Sequence, residues 1–564
     1  MQLQIVLVLA AAATVSTRGL VVRSSNAVEY VGVACQDSDM FMGIPYAQDT
    51  GDANRFKPPR PYMPAPGEKI DATKRGPACP QPMGRLSPPL ALVNVTEVSE
   101  NCLNLNIARP RGVAGPLPVA IYLHGGSFWY GSKDEPTTAP AGLIQQSVEN
   151  EIPIIHVSIN YRLGFFGFAQ SDTLKREGSG NAGLRDQRLA IEWVRDNIAS
   201  FGGDPEKITI FGQSSGGLAV GMQILAYGGS RPLPFQQGIA ESQALEPGIT
   251  ANFTIDAMSA LTDYVGCNST SVHSPETIAC LRAKDTDTLL EAAIITYASD
   301  IAHNIGDVWL PAIDGDFLPY APSKLIADGR IGNATFIAGW TQDDLNFYTN
   351  TSIATAGDTY DFIRAYLPGL NQSSLDDLLG MYPISEFAPA TNLSAEFFRS
   401  ARIFRDVLMV CPSLHLGAAV AKTLSKPVYH YNFNQTVVDQ ILDPMSNVSG
   451  LGAGHTSEFA YVFDSFRAYD KAGFPVKETR KDHELMERTS RSWSTFFATG
   501  SPEVKLHATL HNWSGAYASN NGPFIMTIGG PHEGMSPAGG PVGQRLIERC
   551  RFLNDAAIIE ALGY

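Results

Sequence analysis

The stretch Lys207-Ile-Thr-Ile-Phe-Gly-Gln-Ser-Ser-Gly-Gly217 decides the fold. Residues 207–211 are β-branched and aromatic, which predicts a short buried strand, and residues 218–227 predict a helix. Between them stands G-x-S-x-G, in which glycine permits a turn too tight for larger side chains. Such a turn lifts the Ser214 hydroxyl into the open at the helix N-terminus, where backbone N–H groups favour an anion. The pattern therefore predicts a nucleophile elbow with Ser214 as the nucleophile.

A second glycine pair follows another predicted strand. Residues 118–123 form an apolar run, and His124-Gly125-Gly126 comes directly after it. Successive glycines let backbone N–H groups point into a cavity without obstruction from Cβ. We expect Gly125 and Gly126 to supply two oxyanion donors and the N–H of Ser215 a third. Because His124 lies beside this loop, a structural role is favoured over that of a base.

Composition indicates one large folded core. The chain has 564 residues, of which 44% are hydrophobic and 17% charged, and this is typical of globular proteins. No flexible linker, charge block or repeat divides it. The formal net charge is −15, and an acidic surface repels phosphate backbones, so a nucleic-acid partner is excluded.

The N-terminus predicts secretion. Residues 5–15 form an apolar run with small residues after it, which is typical of a signal peptide and too short to span a bilayer. We expect a signal peptide over approximately residues 1–17, with cleavage between Ala13 and Gly19, and one catalytic domain over residues 18–564. A buried N-terminal strand is the alternative. No later segment offers eighteen consecutive apolar residues, so no membrane span is expected.

Sequons and cysteines agree with an oxidising, extracellular location. Ten N-x-S/T sequons predict glycosylation. They are Asn94, Asn252, Asn268, Asn333, Asn350, Asn371, Asn392, Asn434, Asn447 and Asn512. The chain has seven cysteines, so at least one stays unpaired. No pair has C-x-x-C spacing, and no metal site is expected.

Several further motifs make the chain resemble the type-B carboxylesterase/lipase family, which includes cholinesterases and secreted fungal lipases. The similar segments are Phe41–Ala47, Glu100–Asn106, Asn160–Gly164, Asn181–Gln187, Phe201–Pro205 and Pro311–Gly315, with Asn101 where the family usually has Asp. The resemblance covers nearly the whole mature chain. It implies the α/β class and the α/β-hydrolase fold, in which helices flank a large, mostly parallel sheet. It also implies hydrolysis of a small-molecule carboxylic ester with no metal or organic cofactor.

The resemblance implies the rest of a catalytic triad in the order Ser, acid, His. The segment Gly454–Phe463 is similar to the one that carries the family's catalytic histidine, so His455 is the expected base. His430, within a predicted strand, is interpreted as a packed residue. The family usually has Glu as the acid, in G-x-x-x-D-E-G, whereas this chain has Asp344 there. Asp344 is favoured over Asp343, and its shorter side chain requires the loop to approach the histidine more closely.

The cysteines also follow the family. The resemblance implies three disulfides, Cys79–Cys102, Cys267–Cys280 and Cys411–Cys550, of which the last resembles a third bridge of the cholinesterases. Cys35 is then left over, and we expect it to be buried and inert.

The segment between Cys79 and Cys102 (residues 80–101), here called the flap, bears on the substrate. It contains no aromatic residue, whereas the cholinesterase flap has a Trp that binds the choline cation, so a choline ester is disfavoured. It is short and holds four prolines, which disfavour the large swing of a lipase lid. Leu86, Leu90, Leu92 and Val93 are expected at the rim of the site. We therefore expect an esterase for short or medium acyl chains.

Some alternatives stay open from sequence alone. The same triad is compatible with an acyltransferase, an esterase or lactonase dedicated to one natural product, a lipase or a sterol esterase. A catalytically silent binding protein is disfavoured because Ser214 and His455 are both present. Phe128, Trp129, Trp340 and Phe459 are candidates for either the pocket or the core. The sequence does not indicate the oligomeric state.

Overall fold

The computed structural model describes residues 20–35, 37–84, 89–93, 95–250, 252–300, 307–390, 392–519 and 522–564. The expected signal peptide, Leu86 and the Asn94 sequon lie outside these ranges. In the described residues eight of the other nine sequon asparagines are exposed, and Asn434 is half-buried.

The described residues contain thirteen strands. They are β1 (Leu20–Arg23), β2 (Glu29–Ala34), β3 (Ser38–Pro45), β4 (Lys69–Asp71), β5 (Asn104–Pro110), β6 (Leu117–Leu123), β7 (Ile155–Ile159), β8 (Gly203–Gln213), β9 (Gln237–Glu241), β10 (Thr335–Thr341), β11 (Val428–Phe433), β12 (Phe524–Ile528) and β13 (Gly534–Pro537).

These strands form one sheet in the order β1-β2-β3-β5-β7-β6-β8-β9-β10-β11-β12-β13, and β4 pairs with β2. Its centre, from β7 to β12, is parallel throughout. Outside this centre, β1, β2, β3 and β5 on one side and β13 on the other pair antiparallel along this order, whereas β4 is parallel to β2. The carboxyl ends of the parallel strands therefore meet at one edge, where open α/β sheets place their ligands.

The described residues also contain nineteen α-helices, which cover the sheet. They are α1 (Ala141–Glu149), α2 (Gly164–Phe168), α3 (Asp172–Arg176), α4 (Ala182–Asn197), α5 (Ser215–Leu225), α6 (Phe253–Tyr264), α7 (Pro275–Arg282), α8 (Thr286–Asp300), α9 (Pro322–Ala327), α10 (Ala356–Tyr366), α11 (Gln372–Gly380), α12 (Ala395–Arg405), α13 (Cys411–Leu424), α14 (Asp439–Ser446), α15 (Phe459–Val462), α16 (Phe466–Lys471), α17 (Arg480–Thr499), α18 (Leu546–Leu553) and α19 (Ala556–Leu562).

The core lies on both faces of the sheet. Successive side chains of a strand point to opposite faces. In β6, Val119 and Ile121 belong to one buried apolar cluster, whereas Ala120 and Tyr122 belong to another. Burial on both faces explains why the parallel strands are apolar runs rather than alternating sequences. The expected α/β-hydrolase architecture is confirmed.

Three family-like motifs contribute residues to two buried ion pairs. The Arg55 guanidinium binds both carboxylate oxygens of Glu100, at 2.5 and 2.9 Å. Arg162 binds Asp186 in the same two-pronged way, at 2.6 and 2.7 Å. Removing one partner would leave an unpaired buried charge, which is strongly destabilising. These residues hold the scaffold and lie outside the chemistry described below.

Three disulfides link the described residues: Cys79–Cys102, Cys267–Cys280 and Cys411–Cys550. They are the pairs that the family resemblance implied. The expectation for Cys35 is wrong, because this free cysteine is exposed. It follows β2 directly and lies in the short connection to β3, and such connections run over the protein surface.

One helical stretch in the described part of the chain, Ala395–Leu424, is long and apolar enough to cross a membrane by length and composition. It comprises α12, a π-helical turn over Asp406–Val410, and α13. Sixty-one per cent of its most apolar window is buried inside the protein. Its composition is therefore that of a core helix.

Candidate active site

Ser214 lies at the sharp turn between β8 and α5. Its φ and ψ are 59° and −131°, which a residue other than glycine rarely adopts. The turn leaves no room for side chains beside it: a Cβ on Gly216 would lie 2.1 Å from the carbonyl oxygen of Leu123. The Ser214 N–H donates to the Glu241 carbonyl at 2.9 Å, so the neighbouring strand β9 holds the turn. This is the geometry of the predicted elbow.

His455 and Asp344 contact each other beside this turn. Nδ1 of His455 lies 2.5 Å from Oδ1 of Asp344, and both side chains are buried. The second carboxylate oxygen, Oδ2, accepts the N–H of Thr341 at 2.9 Å. With both oxygens engaged, the carboxylate has one orientation, which places a proton on Nδ1 and leaves a lone pair on Nε2.

The two loops that carry these residues are joined by hydrogen bonds through Asp343. The Asp343 N–H donates to the Ala453 carbonyl at 2.9 Å, and Asp343 Oδ2 accepts the Ala453 N–H at 3.1 Å. Nearby, the Asn346 amide donates to the Leu451 carbonyl at 2.9 Å. These bonds provide the closer approach that a carboxylate one methylene shorter than Glu requires. Asp343 thus positions the loop, while Asp344 contacts the histidine.

Sequence reasoning missed Gln213, the residue before Ser214. Its side-chain amide nitrogen lies 3.1 Å from Nε2 of His455. An amide N–H is a donor, so this contact needs a lone pair on Nε2 and agrees with the proton on Nδ1. The variable position of G-x-S-x-G carried no signal by itself. Gln213 and His455 are 242 residues apart in sequence, and their side chains meet only in the folded structure.

Gly125 and Gly126 line the cavity that contains Ser214 and His455. A Cβ on Gly125 would lie 3.1 Å from the Cβ of Ser214 and 2.4 Å from the Gln213 carbonyl, so only glycine allows this approach. Ser215 begins α5, and its hydroxyl accepts the Phe128 N–H at 3.1 Å. This bond ties the segment His124–Phe128, here called the oxyanion loop, to the elbow.

His124 packs within the oxyanion loop. Its ring stacks on Tyr161 with centroids 4.5 Å apart, and Nδ1 lies 2.9 Å from the Gly125 carbonyl. Burial lowers the pKa of His124 to about 4, so the ring is neutral at physiological pH and a weak base. The geometry favours the structural role over the catalytic one.

The cavity over Ser214 is small, with a volume of about 50 Å³. Ligand sites usually measure about 300–1,000 Å³, so a bulky ester enters only if the walls move. The flap forms one wall through Leu90 and Ala91, and Tyr348 stands edge-on to His455 with ring centroids 5.6 Å apart.

Two polar side chains bind the flap to the body. Gln81 exchanges hydrogen bonds with the backbone of Gly131, donating at 2.8 Å and accepting at 2.9 Å. The buried carboxylate of Glu135 accepts the N–H groups of Leu92, at 3.0 Å, and Val93, at 3.1 Å. Leu92 is buried. The described parts of the flap are therefore held closely over the cavity.

The four aromatic candidates separate into three groups. Phe459 lines the cavity over Ser214. Phe128 is buried in the core, and so is Trp129, which stacks on Tyr297 with centroids 4.6 Å apart. Trp340 is buried and lines a small recess beside a second cavity, which is described below.

Two carboxyl groups are buried behind the elbow. Oε1 of Glu241 accepts the Trp493 indole N–H at 2.7 Å, while Oε2 has no partner in the described structure. Burial raises the pKa of Glu241 to about 7. Burial also raises the pKa of Glu458 well above its usual range, with smaller contributions from Glu241 and Asp344. Both carboxyl groups are therefore protonated in weakly acidic solution and add no charge near Ser214 at that pH.

We expect Glu241 to make stability fall with pH. The unfolded chain loses this proton near pH 4.5 and the folded chain near pH 7, so the folded state binds the extra proton between these values. The free energy of unfolding then decreases by roughly 3 kcal/mol from about pH 4.5 to above pH 7. Glu241→Gln keeps the acceptor for Trp493 and removes this loss. Guanidinium unfolding at acidic and alkaline pH measures it, with exposed Glu149→Gln as control. An unchanged pH dependence in Glu241→Gln would contradict this origin.

With this geometry in hand, comparison with known proteins identifies the family. Residues 26–536 match the model of the carboxylesterase family. The chain belongs to the carboxylesterase family. As an enzyme of this family, it is a carboxylic-ester hydrolase.

Two relatives of this carboxylesterase differ in what their names state. A secreted lipase of Arthroderma benhamiae is 45% identical over 98% of this chain and 97% of its own. An inactive carboxylesterase-like protein of Byssochlamys spectabilis is 34% identical over 93% of this chain and 92% of its own. Among solved structures, EstA of Aspergillus niger superimposes with a TM-score of 0.77, covering 96% of this chain and 99% of that one, at 24% identity. This last likeness shows the fold.

Proposed function

We propose that the protein is a secreted esterase that hydrolyses carboxylic esters through Ser214, His455 and Asp344. The observation that carries the proposal is the 2.5 Å contact of buried Asp344 with His455, which lines one cavity together with the strained Ser214. Membership of the carboxylesterase family supports the reaction class. No cofactor takes part.

The proposed reaction has two halves. Nε2 of His455 takes the Ser214 proton as Oγ attacks the ester carbonyl carbon, and the carbonyl oxygen becomes an oxyanion. The N–H groups of Gly125, Gly126 and Ser215 stabilise this charge. The C–O bond to the alcohol then breaks, and His455 protonates the leaving oxygen. Water, deprotonated by His455, attacks the acyl carbon. The bond to Ser214 Oγ then breaks, His455 returns the proton to Oγ, and the acid leaves.

Secretion with removal of residues 1–17 is part of the proposal, and so is glycosylation at the ten sequons. Support comes from the name of the 45% identical relative and from the three disulfides, which form in oxidising compartments. N-terminal sequencing and glycopeptide mass spectrometry of the secreted protein test these points.

For the substrate we propose short or medium acyl esters in solution. The small cavity and the bonds that hold Leu92 and Val93 to Glu135 support this proposal. Opening the flap breaks these bonds and exposes the buried Leu92, which opposes a lid-like swing.

We expect kcat/KM for p-nitrophenyl esters to fall at least about ten-fold from butyrate to palmitate, a loss of roughly 1.4 kcal/mol of transition-state binding. The rate should saturate smoothly as substrate concentration passes the solubility limit. Initial rates on either side of that limit measure both effects. A jump in rate once an emulsion forms, or a preference for palmitate, would favour a lipase or sterol esterase.

A variant of the flap contact sharpens this test. Glu135→Ala removes the acceptor for the Leu92 and Val93 N–H groups, so longer acyl chains should gain relative to butyrate. Exposed Glu151→Ala serves as control and should leave the ratio unchanged. An unchanged ratio in Glu135→Ala would show that the flap does not set chain length.

A further inference from the structure

A second cavity lies at the carboxyl ends of β10, β11 and β12. Its volume is about 410 Å³, within the usual range of ligand sites, and none of its lining residues belongs to the cavity over Ser214. Asn432 and Thr527 are register partners on neighbouring strands and both line it. Trp340, which pairs with Asn432 on the other side, lines a small recess that shares both residues. The other side of the cavity is lined by three residues of the C-terminal segment, Pro541, Val542 and Gln544.

A network of amides organises the wall. Oε1 of Gln342 accepts from the Asn432 amide at 2.6 Å and from the Gln544 amide at 2.8 Å. Arg405 holds both partners from behind, donating to the Gln342 carbonyl at 2.8 Å and to Gln544 Oε1 at 2.6 Å. The amides are thus ordered before any ligand arrives, which lowers the entropic cost of binding.

One polar atom in this wall lacks a partner. Asn432 is 6% exposed, and its Oδ1 has no hydrogen-bond partner in the described residues. A buried carbonyl oxygen without a partner is costly and indicates a missing donor. This oxygen has almost no accessible surface, so a ligand hydroxyl reaches it once the Asn432 side chain turns toward the cavity that it lines with Thr527.

The lining selects the chemistry of the occupant. No Asp, Glu, Lys or Arg lines the cavity, and the exposed His532 is its one ionisable lining residue, so no fixed charge neutralises an ionic ligand. Amides and a hydroxyl offer both donors and acceptors, which match the vicinal hydroxyls of a sugar, and Pro541 and Val542 offer apolar contact to its C–H groups. Asn434, half-buried on the same wall, begins the sequon Asn434-Gln-Thr436.

We propose that this cavity binds one neutral pyranose ring. The ring is either the first sugar of a glycan on Asn434 or part of a free saccharide, and both present the same hydroxyls to Asn432, Thr527 and Gln342. The site is separate from the catalytic cavity, so the proposal does not depend on which ester is hydrolysed.

Two arms on the full-length secreted protein distinguish the sources. In the first, native protein is treated with a peptide N-glycosidase, and glycopeptide mass spectrometry follows release at Asn434 and at exposed Asn371. A glycan seated in the cavity should be released at least about ten-fold more slowly at Asn434, and Thr527→Val, which removes one hydrogen bond, should reduce that difference.

In the second arm, Asn434→Gln protein is titrated with N-acetylglucosamine, mannose, glucose and glucuronate by saturation-transfer NMR. Neutral sugars should bind in the millimolar range and more tightly than glucuronate, and Thr527→Val should weaken binding about ten-fold. Hydrolysis of p-nitrophenyl butyrate by each variant reports that the protein is folded. Slow release in the first arm identifies the attached glycan, and binding in the second identifies a free-sugar site. Equal release rates together with no sugar binding would overturn the proposal and leave water as the only occupant.

Discussion

Ser214→Ala should lower kcat for p-nitrophenyl butyrate by roughly 10⁵–10⁶-fold, because no other side chain can form the acyl-enzyme. The variant removes one oxygen from a turn held by the Glu241 carbonyl and by close glycine contacts, so the fold should persist. Steady-state kinetics with a coupled burst measurement gives the loss in rate.

The matched control is Ser132→Ala, since Ser132 lines the same cavity and lies outside the proposed reaction. Its rate should stay within a few-fold of the wild type. A fluorophosphonate probe should label Ser214 in the wild type and in Ser132→Ala. Labelling at another serine, or undiminished turnover by Ser214→Ala, would overturn the mechanism.

Asp344→Asn should lower kcat by about 10⁴-fold. An Asn side chain can donate its amide N–H to Nδ1, which shifts the ring proton to Nε2 and removes the lone pair that must accept the Ser214 proton. The neutral amide also gives the imidazolium no charge stabilisation. The pH–rate profile and circular dichroism of the variant separate this effect from unfolding.

Asp343→Asn is the neighbouring control. Its amide oxygen can still accept the Ala453 N–H, and its backbone N–H still donates to the Ala453 carbonyl, so the loops should stay joined. We expect a loss of less than about ten-fold, the cost of weakening one hydrogen bond. A larger loss of kcat in Asp343→Asn than in Asp344→Asn would show that Asp343, rather than Asp344, is the acid.

Local sequence was sufficient for the elbow. The strand predicted over residues 207–211 lies inside β8, and the helix predicted over residues 218–227 begins three residues earlier, at Ser215, and ends at Leu225. The end differs because Tyr227 has a φ of 55°, which an α-helix does not accommodate. Hydrophobic pattern and glycine spacing act over a few residues, so they predict such units but place their ends less well.

Contacts between residues far apart in sequence could not be predicted from hydrophobic pattern and glycine spacing. The flap was expected to lie at the rim, yet its attachment to Glu135 and Gln81 involves amide and carboxyl groups that no spacing rule selects. Cys35 was expected to be buried, and only the β2–β3 connection shows it at the surface. The sugar-sized cavity depends on Gln342, Asn432 and Gln544, which lie far apart in sequence.

The sequence by itself determined the family, the α/β-hydrolase fold, the elbow at Ser214 and the choice of candidate residues, because each depends on local geometry or on motifs with a required order. Only the tertiary structure decided which atoms meet. In the structure, His455 contacts Asp344 rather than Asp343, and the side-chain amide of Gln213 lies within hydrogen-bond distance of Nε2 of His455. The flap is held over a small cavity by its hydrogen bonds to Glu135. The reason is physical: a local pattern specifies which turn or strand forms, whereas a hydrogen bond across a hundred or more residues depends on how all the intervening elements pack.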